Sequence, residues 1–169
     1  MTDQQRYQVR FDWHVDGARA VADDADVLVW IDALDPSPAP LSELPVRCAV
    51  IETGLEGATD TAVWILELQE ALQRRTMVAL IAAGAPRGSG VRFAVEDLLA
   101  AGAIVDAMES RGIDATSPEA AVPDAAFRML RPAVRSLLSA TVSAEEGAGT
   151  TAPRGGGLLV RRPHPELAR

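Results

Sequence analysis

Apolar and polar residues alternate near the start of the chain, where Tyr7, Val9, Phe11 and Trp13 are separated by Gln8, Arg10 and Asp12. A two-residue period puts successive side chains on opposite faces, so this segment predicts a strand with one wet face, at or near a sheet edge. Residues 26–32 (DVLVWID) change the pattern to an unbroken apolar run rich in β-branched residues, bounded by acids and followed by Pro36, Pro38 and Pro40. Such a run fits a strand covered on both faces, and it is the best candidate for the centre of the sheet. Residues 46–51 and 77–82 read the same way, the second closed by the turn-forming residues 84–90 (GAPRGSG). Between them, Ala62, Ile65, Leu66, Leu68 and Leu72 recur with polar residues opposite, which predicts an amphipathic helix over 59–75. Arg74 and Arg75 suit its C-terminus.

Strand, helix, strand, glycine-rich turn and helix in succession build a layered α/β fold, a mainly parallel or mixed sheet flanked by helices. Ser117-Pro118-Glu119 then reads as a helix start, with a hydroxyl cap, proline at the first helical position and an acid in the first turn. Pro123 and Pro132 predict two or three helical pieces over 118–140 rather than one rod. From residue 145 the chain is rich in Gly, Pro and Arg and lacks the apolar content that offsets ordering entropy. The expected organisation is one α/β domain over 1–144 and a disordered, flexible tail over 145–169.

Residues 92–106 place a carboxylate where apolar side chains belong. Read as a helix at about 100° per residue, Phe93, Ile104, Met108, Ala101, Ala94, Val105 and Leu98 form one apolar arc, and Asp97 falls between Ile104 and Met108 while Glu96 points elsewhere. A buried ionised acid needs a cation, a metal or several donors to compensate it, so Asp97 is either a satisfied structural hinge or part of a site.

Composition narrows the function classes. The chain of 169 residues is 48% hydrophobic and 24% charged, and no apolar run approaches the roughly 18 residues of a membrane span. The first fifteen residues lack the basic start and apolar centre of a secretory signal, which makes the cytoplasm the expected location. The single cysteine, Cys48, lies in an apolar run and reads as a buried, inert thiol. Net charge is −8; the residues from Gly147 onward contribute +3 and leave −11 on the rest. An acidic body disfavours nucleic acid and anionic membranes as partners. The arginines of the tail read as a solvated end or as a contact for an acidic partner. Lysine and asparagine are absent altogether. His14 and His164 are too far apart in sequence to suggest a histidine cluster, and Trp13, Trp30 and Trp64 read as core or sheet-face residues.

Residues 92–106 (RFAVEDLLAAGAIVD), preceded by 78–84 (VALIAAG) and followed by 117–120 (SPEA), resemble the C-terminal half of the 2-phosphosulfolactate phosphatases of coenzyme M biosynthesis. Residues 7–13 (YQVRFDW) and 29–32 (VWID) look like that family's start, and 53–64 (TGLEGATDTAVW) is a weaker match. The resemblance implies an α/β layered fold and a Mg²⁺-dependent hydrolase of a small anionic phosphoester. The chain also departs from the family pattern. Asp32 runs into Ala-Leu-Asp-Pro-Ser-Pro-Ala-Pro instead of a hydroxyl-rich segment, and those prolines remove N–H groups on which a phosphate could rest. The family's Asn-Gly-Thr motif cannot occur without asparagine, and Ala85 stands where the family has Glu.

Two expectations follow. In the first, Asp32 and Asp97 hold Mg²⁺, Glu96 or Asp35 supports them, and Arg92 and Arg87 contact the substrate's phosphate or sulfonate. Residues 84–90 then cradle a phosphate, or are a plain connection. In the second, catalysis is lost and the fold survives as a non-catalytic small-molecule-binding or homo-oligomer-forming module, with Asp32 capping a turn and Asp97 paired with an arginine.

Overall fold

The computed structural model describes residues 4–34, 38–45, 47–88, 90–146 and 157–167. Strands β1 (Val9–Trp13), β2 (Val27–Ile31), β3 (Ala49–Thr53) and β4 (Val78–Ala82) run parallel, and β7 (Leu159–Arg162) joins β3 antiparallel. The order across this mixed sheet is β1-β4-β2-β3-β7. The unbroken apolar run therefore does lie at the centre: every residue of β2 is buried, Val29 and Ile31 on one face and Leu28 and Trp30 on the other. Helices α2 (Ala58–Leu72), α3 (Val95–Glu109) and α4 (Pro118–Leu130) cover the first face. On the second face α1 (His14–Val21) shares the layer with Ala39 and Leu44 of the β2–β3 connection. Pro38 and Pro40 in that connection disfavour a second helix there.

β1 is a terminal strand of the sheet, as its alternation predicts, but its polar face is not wet. Arg10 is 1% exposed. Its guanidinium donates to the carbonyls of Tyr7, Val21 and Gln5 at 3.0–3.1 Å and pairs with Asp24 through both nitrogens. Four acceptors in one place satisfy the charge, and a sequence pattern cannot show that.

α3 starts later than residues 92–106 suggested. Val91 and Arg92 belong to β6 (Gly90–Arg92), which pairs with β5 (Ala85–Arg87) in a hairpin, and Phe93 stands 56% exposed against Trp13, ring centroids 5.1 Å apart. The glycine-rich turn is thus a hairpin that returns the chain from β4 to α3. Within α3 ten residues are buried, among them Glu96, expected to point away, because the helix is enclosed between the sheet and α4. The α3–α4 contact is backbone to backbone at Gly102, where an added Cβ would lie 2.0 Å from the carbonyl oxygen of Pro123.

Ser117 caps α4 as predicted, its Oγ accepting from the Ala120 N–H at 3.1 Å. Pro123, expected to break the helix, sits inside it, whereas the second break occurs: Pro132 lies in a 3₁₀ turn between α4 and α5 (Val134–Leu138). A short α6 (Val142–Glu146) follows. Of the segment expected to be a flexible tail, 147–156 lies outside the described residues, and part of the remainder is strand β7. Arg161 pairs with Glu52 at 3.2 Å, and Arg162 donates to the carbonyls of Cys48, at 2.9 Å, and Pro45. Among the described residues no helix is long and apolar enough to cross a membrane.

Candidate functional site

Parallel strands place the residues that follow them along one rim, and in open α/β sheets that rim is where ligands bind. Here Asp32 follows β2, Gly84 lies two residues beyond β4, and the first turn of α3 brings Glu96 and Asp97 over the same edge. Asp97 Oδ1 accepts from the Ala33 N–H at 2.9 Å, and its Oδ2 accepts from the Gly84 N–H at 2.9 Å. One side chain thereby ties the ends of the two central strands to α3. Gly84 has φ +68, and a Cβ there would lie 2.3 Å from Val91 Cγ1, so the turn that aims its N–H at Asp97 requires glycine.

Asp97 is 2% exposed. Burial, together with the charges of Asp32 and Glu96, pushes its carboxyl up to about 8, against the opposing effect of the two backbone donors. At neutral pH it carries a proton. Glu96 is 3% exposed, and its Oε2 meets no hydrogen-bond donor among the described residues. The three acids named from the sequence are thus brought together, and among the described residues no arginine bonds Asp97. Asp35, the fourth, lies outside the described residues.

The two arginines are not brought to the acids. Arg92 donates to Ser143 Oγ at 2.9 Å and pairs with Glu146 at 3.5 Å, which latches the hairpin to α6. Arg87 ends β5, exposed. The histidines lie at opposite ends of the sheet: His14 follows β1 with φ 57, and His164 is beside Asp26, which precedes β2. Cys48 is buried, and burial pushes its thiol up, as fits an inert side chain.

A magnesium ion takes one or two carboxylates and fills its octahedron with water and substrate oxygens. The rim offers Asp32 and Asp97, each oxygen of the second already accepting a backbone N–H. Among the described residues no His, Cys, Asp and Glu side chains form a group of three able to hold a metal. The partners missed from the sequence are the N–H groups of Ala33 and Gly84. They are backbone atoms, and their only signal was the glycine ending the run after β4. No protein-family model matches the chain, and no curated protein matches it.

Proposed function

We propose that the chain is a divergent domain of the 2-phosphosulfolactate phosphatase type that has lost hydrolysis and serves as a non-catalytic binding module. The observation that supports this most is the engagement of Asp97. Both its oxygens accept from main-chain donors and its carboxyl is protonated at neutral pH, so the acid acts as a clasp between β2, β4 and α3. The phosphate-contacting role foreseen for Arg92 is also taken, since Ser143 and Glu146 hold that side chain. Prolines occupy the place where the family has a hydroxyl-rich phosphate segment.

The test is phosphate release from 2-phosphosulfolactate with and without Mg²⁺, run beside an Asp32→Ala variant. The expected result is no metal-stimulated release and identical traces. Magnesium-dependent turnover that Asp32→Ala abolishes, with the circular dichroism spectrum unchanged, overturns the proposal. Unfolding temperature measured with Mg²⁺ and the phosphoester, separately and together, reads binding without turnover.

A further inference from the structure

Helix α4 has two apolar faces, and only one of them is covered. Its inner face meets α3 at Gly102, and Ala120, Pro123, Asp124 and Phe127 are buried there. Its outer face carries Pro118, Ala121, Val122, Ala125 and Met129, all exposed, with Val122 63% and Met129 81% open. At 3.6 residues per turn these five side chains fall within an arc of about 100°, and no charged residue of the helix interrupts it. An apolar stripe of that width is what a helix ordinarily buries.

The charges beside the stripe are neutralised within the fold. Arg128 pairs with Asp106 at 3.2 Å, with Asp124 at 2.8 Å and with Glu109, and Arg131 pairs with Asp106. Glu119 projects about 120° round the helix from Ala125, clear of the stripe. A chain of net charge −8 repels a copy of itself, and that repulsion is relieved where both facing surfaces are uncharged and bordered by closed ion pairs.

The order of sizes along the stripe also fits a copy. Two α4 helices laid antiparallel about a twofold axis beside Ala125 set Val122 of each chain against Met129 of the other, on the same side of the contact. The small Ala125 then lies at the crossing, where the helices come closest, and the aliphatic stem of Arg128 lies over Ala121 of the second chain. Each contact occurs twice, as a closed twofold interface requires. We propose that α4 is a self-association surface through which two copies of the chain form an antiparallel homodimer. A face about 20 Å long and about 10 Å wide buries less than the roughly 1,200 Å² of a standard interface, so the dimer is weak, with Kd about 10–100 μM.

Sedimentation velocity of the full chain from about 1 μM to about 500 μM tests the assignment, a range that spans that Kd. The expected result is a shift from monomer to dimer across the range. Val122→Arg and Met129→Glu, both at exposed positions, are each expected to weaken association at least about ten-fold while leaving the unfolding curve unchanged. Mixed in equal amounts, the two variants are expected to associate at least about ten-fold more tightly than either alone, because the antiparallel register sets the new arginine against the new glutamate. A wild type that stays monomeric at about 500 μM overturns the proposal, as does a dimer undiminished in both variants, which would place the contact on another face. A mixture no tighter than its components overturns the antiparallel pairing and the proposal with it.

Discussion

Replacing Asp97 with asparagine separates its ionisation from its hydrogen bonds. Asparagine keeps the shape and one acceptor oxygen, but its NH₂ group faces one of the two backbone N–H donors of Ala33 and Gly84. Losing one acceptor there costs about 1–3 kcal/mol at every pH. Against that constant offset stands a term that varies with pH. The carboxyl is raised from 3.8 to about 8 in the folded protein, so between those values the folded state binds a proton that the unfolded state does not. Stability from this group is fully present below the unfolded value and is lost as pH rises toward 8, at about 1.4 kcal/mol per pH unit. From about pH 5 to about pH 7.5 the wild type is therefore expected to lose about 3 kcal/mol relative to Asp97→Asn, and the variant becomes the more stable protein near neutrality. Urea unfolding of both proteins at half-unit intervals, with the difference plotted against pH, cancels the titrating groups that do not sense Asp97 and leaves those coupled to it, Asp32 and Glu96. A difference constant to within about 0.5 kcal/mol over that range, or one of the opposite slope, refutes the assignment of a protonated, buried Asp97.

Gly102→Ala pits helix propensity against packing. Alanine favours the helix by about 1 kcal/mol, but its methyl would lie 2.0 Å from the Pro123 carbonyl oxygen, so a net loss of at least about 1–3 kcal/mol is expected. A rise in unfolding temperature would show that α3 and α4 are not in backbone contact. Arg10→Met leaves three carbonyls without their donor and is expected to cost about 3–5 kcal/mol in denaturant unfolding at neutral pH. Hydrogen bonding to Arg10 also holds the Asp24 carboxyl below its usual range, so Asp24 contributes stability present above the unfolded pKa and lost on acidification. That acid-side loss should be smaller in the variant, and an unchanged acid profile would refute the pairing.

The parallel strands were legible because an unbroken β-branched run has few other uses: residues 26–32, 46–51 and 77–82 each fall on a strand or overlap one. The meeting of Asp32 and Asp97 was legible for a related reason, since a strand end and the start of a rim-facing helix both project to the same edge. Residues governed by tertiary partners were not legible. Arg10 looks solvent-facing until Tyr7, Val21, Gln5 and Asp24 converge on it, and Glu96 looks free until α4 covers α3. Pro123 reads as a breaker because local rules know nothing of the neighbouring helix at Gly102. β7 has only four residues, and its alternation is lost in Leu159-Val160-Arg161-Arg162, so nothing local distinguishes it from a tail.

The pairing of β7 with β3 has a consequence for synthesis. Arg162 bonds the carbonyl of Cys48 across 114 residues of sequence, so one border of the sheet stays open until nearly all the intervening chain has left the ribosome. Until then the nascent domain exposes the row of main-chain groups on β3 that a neighbouring chain could capture. A chaperone that shields strand borders should therefore raise the yield of folded protein more for chains shortened before residue 159 than for the full chain.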